Sequence, residues 1–459
     1  MKRKVYPKYK DSGVEWLGEV PGHWEVKRLK YQVTINDETL PETTSPDYEL
    51  LYVDISSVDP TQGITKKEQM IFENAPSRAR RTVKNGDTIV STVRTYLSAI
   101  SPVIEPENNL IVSTGFAVIR PRKICKDYLA AVIRAPYFIE EVVSRSVGVS
   151  YPAINASEIG LISIPLPPLQ EQQAIAAYLD CETGRIDALI AKKQRLLELL
   201  AEQRTAIISR AVTKGLYGMV ARSDAEFAEW GEKKVSYKSS GVEWLGDVPE
   251  HWVVKRLKFL LQESLQYGAN ESAELDDPDL PRFIRITDVN EHGSLREETF
   301  RSLPEDVAKS FLLQEGDLLF ARSGATVGKT FFYQKTWGRA AYAGYLIRAR
   351  LNKKAVIPNF VNLITKTGFY QQWIQSMLIQ ATIQNVSAEK YASFVIPLPP
   401  LPEQKTIAAY LDRETSKIDT LSAKIKTAIE KLKEYRTAII SAAVTGKIEP
   451  RKARKARKK

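Results

Sequence analysis

Cysteine and histidine are nearly absent from this chain of 459 residues. Cys125 and Cys181 stand far apart without CxxC spacing, which argues against a disulfide framework and against a thiolate metal site. His23, His251 and His292 are too scattered to form an imidazole cluster. No run of about eighteen apolar residues is present, so no membrane-spanning helix is expected. The opening MKRKVYPKYKDSGVEW is basic, but no apolar stretch follows it, so a signal peptide is not expected and a cytoplasmic location is. Also missing are GxSxG, HExxH and a glycine-rich GxGxxG after a strand. Adjacent carboxylates such as Glu140 with Glu141, or Asp276 with Asp277, read as surface charge. The sequence therefore nominates no catalytic residue, no metal ligand and no cofactor bound by this chain.

What is present begins with charge and repetition. The formal net charge is +11, which points to an anionic partner. Seven of those charges lie in the last nine residues, RKARKARKK, leaving only +4 for the rest. That end reads as a solvated, disordered tail suited to non-specific contact with nucleic acid.

The stretch from Ile164 to Thr213, opening IPLPPLQEQQAIAAYLD and closing RTAIISRAVT, returns 232 residues later at Ile396 to Thr445. After its prolines, which favour extended backbone before them, apolar residues recur at heptad spacing. Ile186, Leu189, Leu196, Leu200 and Ile207 form the expected seam of the first copy, and Ile418, Leu421, Ile425, Leu432 and Ile439 that of the second. Gly184 is the single glycine inside either copy. At ~1.5 Å per residue each helix would reach roughly 65–70 Å. Two ordinary core helices would be the plainer reading, but a seam this long needs a partner of equal length, and the chain supplies one.

The box SGVEWLGEVPGHWEVKRLK (Ser12 to Lys30) likewise returns as SGVEWLGDVPEHWVVKRLK (Ser240 to Lys258), 228 residues on. The repeat is thus a whole domain with its helix, far longer than a solenoid period. Trp16, Trp24, Trp244 and Trp252 in these boxes read as structural anchors. Between box and helix the copies diverge but keep one order of strands and helices. The expected fold is mixed α/β: a first domain over 1–163, a long helix over 164–214, a polar surface linker over 215–238, a second domain over 239–395, a second long helix over 396–446 and a basic tail over 447–459. The two helices are expected to pair as an antiparallel coiled coil with pseudo-two-fold symmetry.

Candidate binding residues lie where the copies differ. ARSGATVGKT (Ala321 to Thr330) resembles a P-loop but has three residues between its glycines where phosphate wrapping needs four. It and STVRTYLSA read better as strands running into polar loops. Thr92, Arg94 and Tyr96 in one copy, and Arg322, Ser323, Thr326 and Lys329 in the other, carry donors suited to base edges or phosphates. Arg78 and Arg81 in PSRARRTVKNGD suit phosphate oxygens, and Gln384 in LIQATIQNVSAEKY suits an adenine edge. Solvated hairpins with incidental basic and amide side chains would look the same at this level.

Taken together, the paired IPLPPLQEQQAIAAYLD and IPLPPLPEQKTIAAYLD segments, the RTAIIS helix ends, the EWLGEVPGHW and EWLGDVPEHW boxes, and the loops after GDTIVSTVR and GDLLFARSGATVGK resemble the specificity subunit of a type I restriction–modification system. The resemblance implies two target recognition domains, each reading half of a split double-stranded DNA target, held apart by the long helices. It implies a non-catalytic subunit that docks two methyltransferase (modification) subunits, which use S-adenosylmethionine, and restriction (motor-nuclease) subunits, which use ATP and Mg. The chain departs from the pattern in two places: the first helix ends VTKGL where the second ends VTGKI, and the first loop lacks the SGATVG form. A coiled-coil protein-interaction scaffold without sequence-specific DNA binding is the alternative.

Overall fold

Each proline-rich lead-in forms a strand before its helix begins. In the computed structural model, which describes residues 6–221, 223–290, 293, 295–379 and 385–450, Ser163–Leu166 pairs antiparallel with Glu25–Arg28, and Val395–Leu398 pairs the same way with Val253–Arg256. The long helices then run over Leu169–Lys214 and Leu401–Val444, five residues later than Ile164 and Ile396. Gln384 and the tail 451–459 lie outside the described residues.

The chain divides into two units. Met1–Lys193 with Lys426–Lys459 forms the first, and Gln194–Ile425 forms the second. In the first, an antiparallel sheet runs in the order Ile100–Pro102, Thr88–Ser91, Phe116–Pro121, Val33–Ile35. A second sheet pairs Glu49–Val53 with Leu110–Ser113 in parallel and is flanked by Glu68–Ile71 and Ala79–Thr82. The second unit repeats the first sheet with Thr330–Phe332, Leu318–Ala321, Leu346–Ala349 and Gln266–Tyr267, and of the second sheet it keeps the parallel pair, Arg282–Ile284 and Ala340–Tyr342, without the two flanking strands among the described residues. Thr88–Ser91 and Leu318–Ala321 are buried along their whole length, so these strands are the floor on which each polar loop stands.

The Gly-Asp dipeptide before each of these strands is a fold device. Gly86 and Gly316 have φ of 94° and 89°, a left-handed turn that glycine adopts without steric cost. The aspartate that follows closes the turn and binds a guanidinium: Asp87 accepts from Lys84 N at 2.8 Å and from Arg120 Nη2 at 2.9 Å, and Asp317 accepts from Gln314 N at 2.8 Å and from Arg350 Nη2 at 2.7 Å. Asp87 holds the Arg120 guanidinium above its ordinary pKa. Burial opposes the charge on Arg350, and Asp317 outweighs it. Glu38 reaches the Arg120 guanidinium at 3.0 Å and Glu263 that of Arg350 at 2.9 Å, so more than one carboxylate holds each cation, as charges in such places require.

The helix starts are locked alike. Gln172 donates to Pro167 O and accepts from Cys125 N, at 2.8 and 2.9 Å. Gln404 donates to Pro399 O and accepts from Ile357 N, both at 2.8 Å. One residue earlier, Glu171 holds Tyr6 and His23. Glu403 holds Tyr217, His251 and Trp252. A carboxylate in the first turn also complements the helix dipole. Trp24 and Trp252 are fully buried, and Trp16 and Trp244 stack on Tyr137 and Phe369.

The helices pair antiparallel within each unit. In the first, Arg436 Nε donates to Asp187 at 2.9 Å. In the second, Arg204 Nε donates to Asp419 at 3.2 Å. Burial along the helices follows steps of three and four, as a heptad requires, but three seam assignments need correction. Leu189, Leu196 and Leu421 are exposed (44%, 42% and 45%), while Ile186, Leu200, Ile418, Ile425 and Ile439 are buried and Ile207 and Leu432 half-buried. From Ile186 the buried line steps four to Ile190, and Ile208, Ile429 and Ile440 also lie on it. Its second-copy counterpart to Ile190 is Ser422, which counting apolar residues passes over.

The linker is also more than a surface crossing. Leu216, Val220 and Phe227 are buried in the core of the second unit, Tyr217 is buried against Glu403, and Ala228–Glu232 is a short helix. Arg413 sits over the Phe227 ring at 4.6 Å and pairs with Asp224. Spaced apolar residues among charged ones show no period, yet these four are buried. The two helix ends differ by one residue, as VTKGL and VTGKI foretold: Gly215 and Gly446 are both left-handed (76° and 73°), which suits a helix C-cap. Space beside Gly215 is taken by the Tyr217 ring, and beside Gly446 by Pro21 and Trp24.

Candidate nucleic-acid interface

At the end of Thr88–Ser91 the chain enters a loop with two left-handed non-glycine residues, Arg94 (φ 51°) and Ser98 (φ 50°), around the 3-10 turn Thr95–Leu97. At the end of Leu318–Ala321, Gly324 (76°) and Gly328 (83°) bracket the turn Gly324–Thr326. The loops share a backbone plan in spite of their unlike sequences. Ser91 N donates to Ala99 O at 3.0 Å, as Ala321 N does to Lys329 O at 2.8 Å. Thr92 N donates to Gly115 O, as Arg322 N does to Tyr345 O. Ile154 N donates to Thr92 O at 2.9 Å, as Val386 N does to Arg322 O at 2.8 Å. Thr92 and Arg322 thus occupy one position in the two units. Three of the six backbone donors of the Gly324–Lys329 turn are spent internally, those of Val327, Gly328 and Lys329, so they are not free to wrap a phosphate.

In the first unit the structure gathers Thr92, Arg94 and Tyr96 at one end of the sheets. Thr92 Oγ1 donates to Gly115 O at 2.9 Å, and Tyr96 is 57% exposed. The Arg94 guanidinium lies 4.8 Å over the Tyr151 ring. Arg78 joins this end through its carbonyl, which accepts from Thr114 N at 2.7 Å. Its side chain is engaged by the fold: Nε donates to Tyr52 Oη and Nη2 to Asp54 at 2.7 Å. These contacts, Tyr52 first, raise its pKa, and a phosphate would have to share it with Asp54. Arg81 lies in the strand opposite Val112, with Nε buried without a hydrogen-bond partner. Burial lowers its pKa.

In the second unit Arg322 stacks 4.9 Å over the Tyr267 ring, and its Nε is buried without a hydrogen-bond partner. Ser323 bridges to Asn385, Thr326 closes the turn through its carbonyl to Lys329 N, and Lys329 is exposed. Sequence reasoning missed the tyrosines. Tyr151, Tyr267 and Tyr345 are 61%, 37% and 66% exposed beside these loops. A lone aromatic among turn residues, as in GVSYPA and AGYL, was the available signal. Paired arginine and tyrosine faces suit flat, charged partners, because bases stack on aromatic planes and phosphates take guanidinium donors.

A family model described as the type I restriction modification DNA specificity domain matches residues 21–199 and again 249–431. The chain belongs to that family. It is a type I specificity subunit, the recognition component of a restriction–modification complex and not its catalytic part. DNA and other restriction–modification subunits are its partners by family membership. The EcoKI specificity subunit of Escherichia coli K12 is 26% identical over 72% of this chain and 68% of its own length. The putative type I restriction enzyme MjaX specificity subunit of Methanocaldococcus jannaschii is 24% identical over 94% and 95%. In fold, this specificity subunit is similar to a chain solved in work on complex assembly and conformational transition of the type I R-M system, with TM-score 0.69, 23% identity and coverage of 93% and 98%. It is similar also to the HsdS subunit of Thermoanaerobacter tengcongensis, with TM-score 0.50, 24% identity and the same coverage. Among the described residues no helix is long and apolar enough to cross a membrane.

Proposed function

We propose that this specificity subunit reads a split double-stranded DNA target, one half per unit, through the loops that begin at Thr92 and Arg322. One observation carries the reading: the two units keep the Gly-Asp turns, the helix starts and the backbone path of the loops, yet the side chains on those two matching loops differ. A shared partner calls for like surfaces, and two different half-sites call for unlike ones. Arg94, Tyr96, Arg322, Ser323, Thr326 and Lys329 are the base and phosphate contacts in this reading, with Arg78 and Arg81 as phosphate contacts. Gln384 joins them on the strength of its sequence position.

The repeated helices and boxes are, in the same reading, the surfaces for two methyltransferase subunits, with restriction subunits joining that complex in the cytoplasm. The target adenine is then turned out into a methyltransferase pocket, so no base chemistry is needed here. Co-expression with a cognate modification subunit, followed by genome-wide mapping of methylated adenine, tests this. One split motif with a fixed gap is expected, and Arg322→Ala should relax one half of it. The absence of any motif overturns the reading, and a loss of binding spread evenly over all sequences reduces Arg322 to a phosphate contact.

A further inference from the structure

Beside the first loop lies a hairpin that the reading above leaves without a role. Val147 and Ala153 exchange backbone hydrogen bonds at 2.9 and 3.0 Å. Their hairpin turns through Gly148, whose φ of 116° is open to glycine. Its base is fastened to the loop at three points: Ile154 N to Thr92 O, Arg94 N to Pro152 O at 2.8 Å, and Thr95 Oγ1 to Ser146 Oγ at 2.8 Å. The tip is apolar and uncovered. Val149 is fully exposed at 102%, Val147 is 80% exposed and Tyr151 61%, and Tyr96 and Leu97 of the fastened loop are 57% and 41% exposed.

Single exposed apolar side chains are ordinary, but a rigid cluster of five beside a cation marks a contact surface. Here Arg94 stacks on Tyr151, and its guanidinium has no carboxylate partner among the described residues. The choice between protein and nucleic acid follows from the repeat. At the matching place the second copy has IQATIQ, with two amides, in place of VGVSYP. A dock for a partner common to both units would be kept alike, as the helices are, whereas a device acting on one half-site is free to differ.

We propose that this hairpin is a wedge for the DNA base stack: Val149 enters between neighbouring base pairs of the half-site read by the first unit, backed by Tyr151, while Arg94 takes the adjoining phosphate. Apolar side chains presented this way part base steps and bend the duplex, and a hairpin pinned at three points loses little freedom on binding. The inference rests on the DNA-reading function proposed above.

The test uses the full-length subunit in complex with its modification subunit. The probes are duplexes of the mapped target carrying 2-aminopurine at successive positions of that half-site, the methylated adenine excluded. The native complex should raise the fluorescence several-fold at one step. Val149→Ser should abolish that rise and weaken binding about ten-fold with the same sequence still selected, and Val149→Leu should retain both. Because Val149 touches no core, melting should be unchanged. Equal affinity and equal fluorescence with Val149→Ser overturn the wedge while leaving the reading function intact. Loss of the modification subunit from the Val149→Ser complex, with no change in the fluorescence of what remains, makes the hairpin a protein dock and also overturns it. A native complex that selects no sequence brings down the reading and the wedge together.

Discussion

The two units are alike wherever the backbone is held and unlike wherever side chains leave it. The loops after Thr88–Ser91 and Leu318–Ala321 place left-handed residues at the same two positions, Arg94 with Gly324 and Ser98 with Gly328. Yet one copy spells the loop with glycines and the other with an arginine and a serine. Duplication preserved the path and freed the side chains. The opposite holds at the helix starts, where Glu171 with Gln172, and Glu403 with Gln404, keep both residue and contact. Residues retained by both copies are therefore the ones that close the fold, and a residue present in one copy alone is where a different task begins.

The sharpest way to break this comparison is at the Gly-Asp turns. Asp87→Ala and Asp317→Ala each remove the acceptor that closes the turn and one carboxylate of a largely buried guanidinium, leaving Arg120 with Glu38 and Arg350 with Glu263, and should cost their own unit about 3 kcal/mol. Urea unfolding followed by unit-resolved hydrogen exchange measures it, and a loss caused by one of the two variants but not by the other would end the equivalence. Next, Glu403→Gln removes charged hydrogen bonds to Tyr217, His251 and Trp252 and should cost about 1.5–3 kcal/mol. Glu171→Gln should cost less, because Trp24 Nε1 makes no hydrogen bond while Trp252 Nε1 reaches Glu403 at 3.1 Å. Calorimetric melting of the two variants compares them.

Smaller effects sharpen the loop comparison. A Cβ on Gly328 would come within 2.9 Å of Ile374 in a left-handed backbone, so Gly328→Ala should cost about 1–2 kcal/mol. Ser98→Gly, at the matching position, should leave stability equal or higher, and a clear loss there would mean that Ser98 is held for another reason. Smallest of all, Arg204→Ala breaks a pair with Asp419 that is open to solvent and should change stability by about 0.2–1 kcal/mol, less at high salt.

Periodicity and near-identity made the repeat, the helices and the boxes legible, because both are local signals. The seam was misplaced at Leu189, Leu196 and Leu421 because apolar residues flank the true line as well as occupy it, and one position on that line is Ser422. The linker hid its buried residues for want of a period. The role of each Gly-Asp pair depends on an arginine 33 residues further on, and the Val147–Ala153 hairpin on backbone pairing that leaves no mark in composition. Contacts made across long separations are what the linear text conceals.

The first unit is built from both ends of the chain. Tyr128 donates to Pro165 O and reaches Val444 O, Tyr9 donates to Gly446 O, and Lys447 reaches Glu19 O. On a ribosome, residues 194–425 emerge as a continuous piece and can close on themselves, whereas the first unit waits, its half of the seam uncovered, until residues 426–450 are made. The domain translated first is thus completed last. A nonsense mutation late in the gene would strike the reader at the opposite end of the chain from the stop codon.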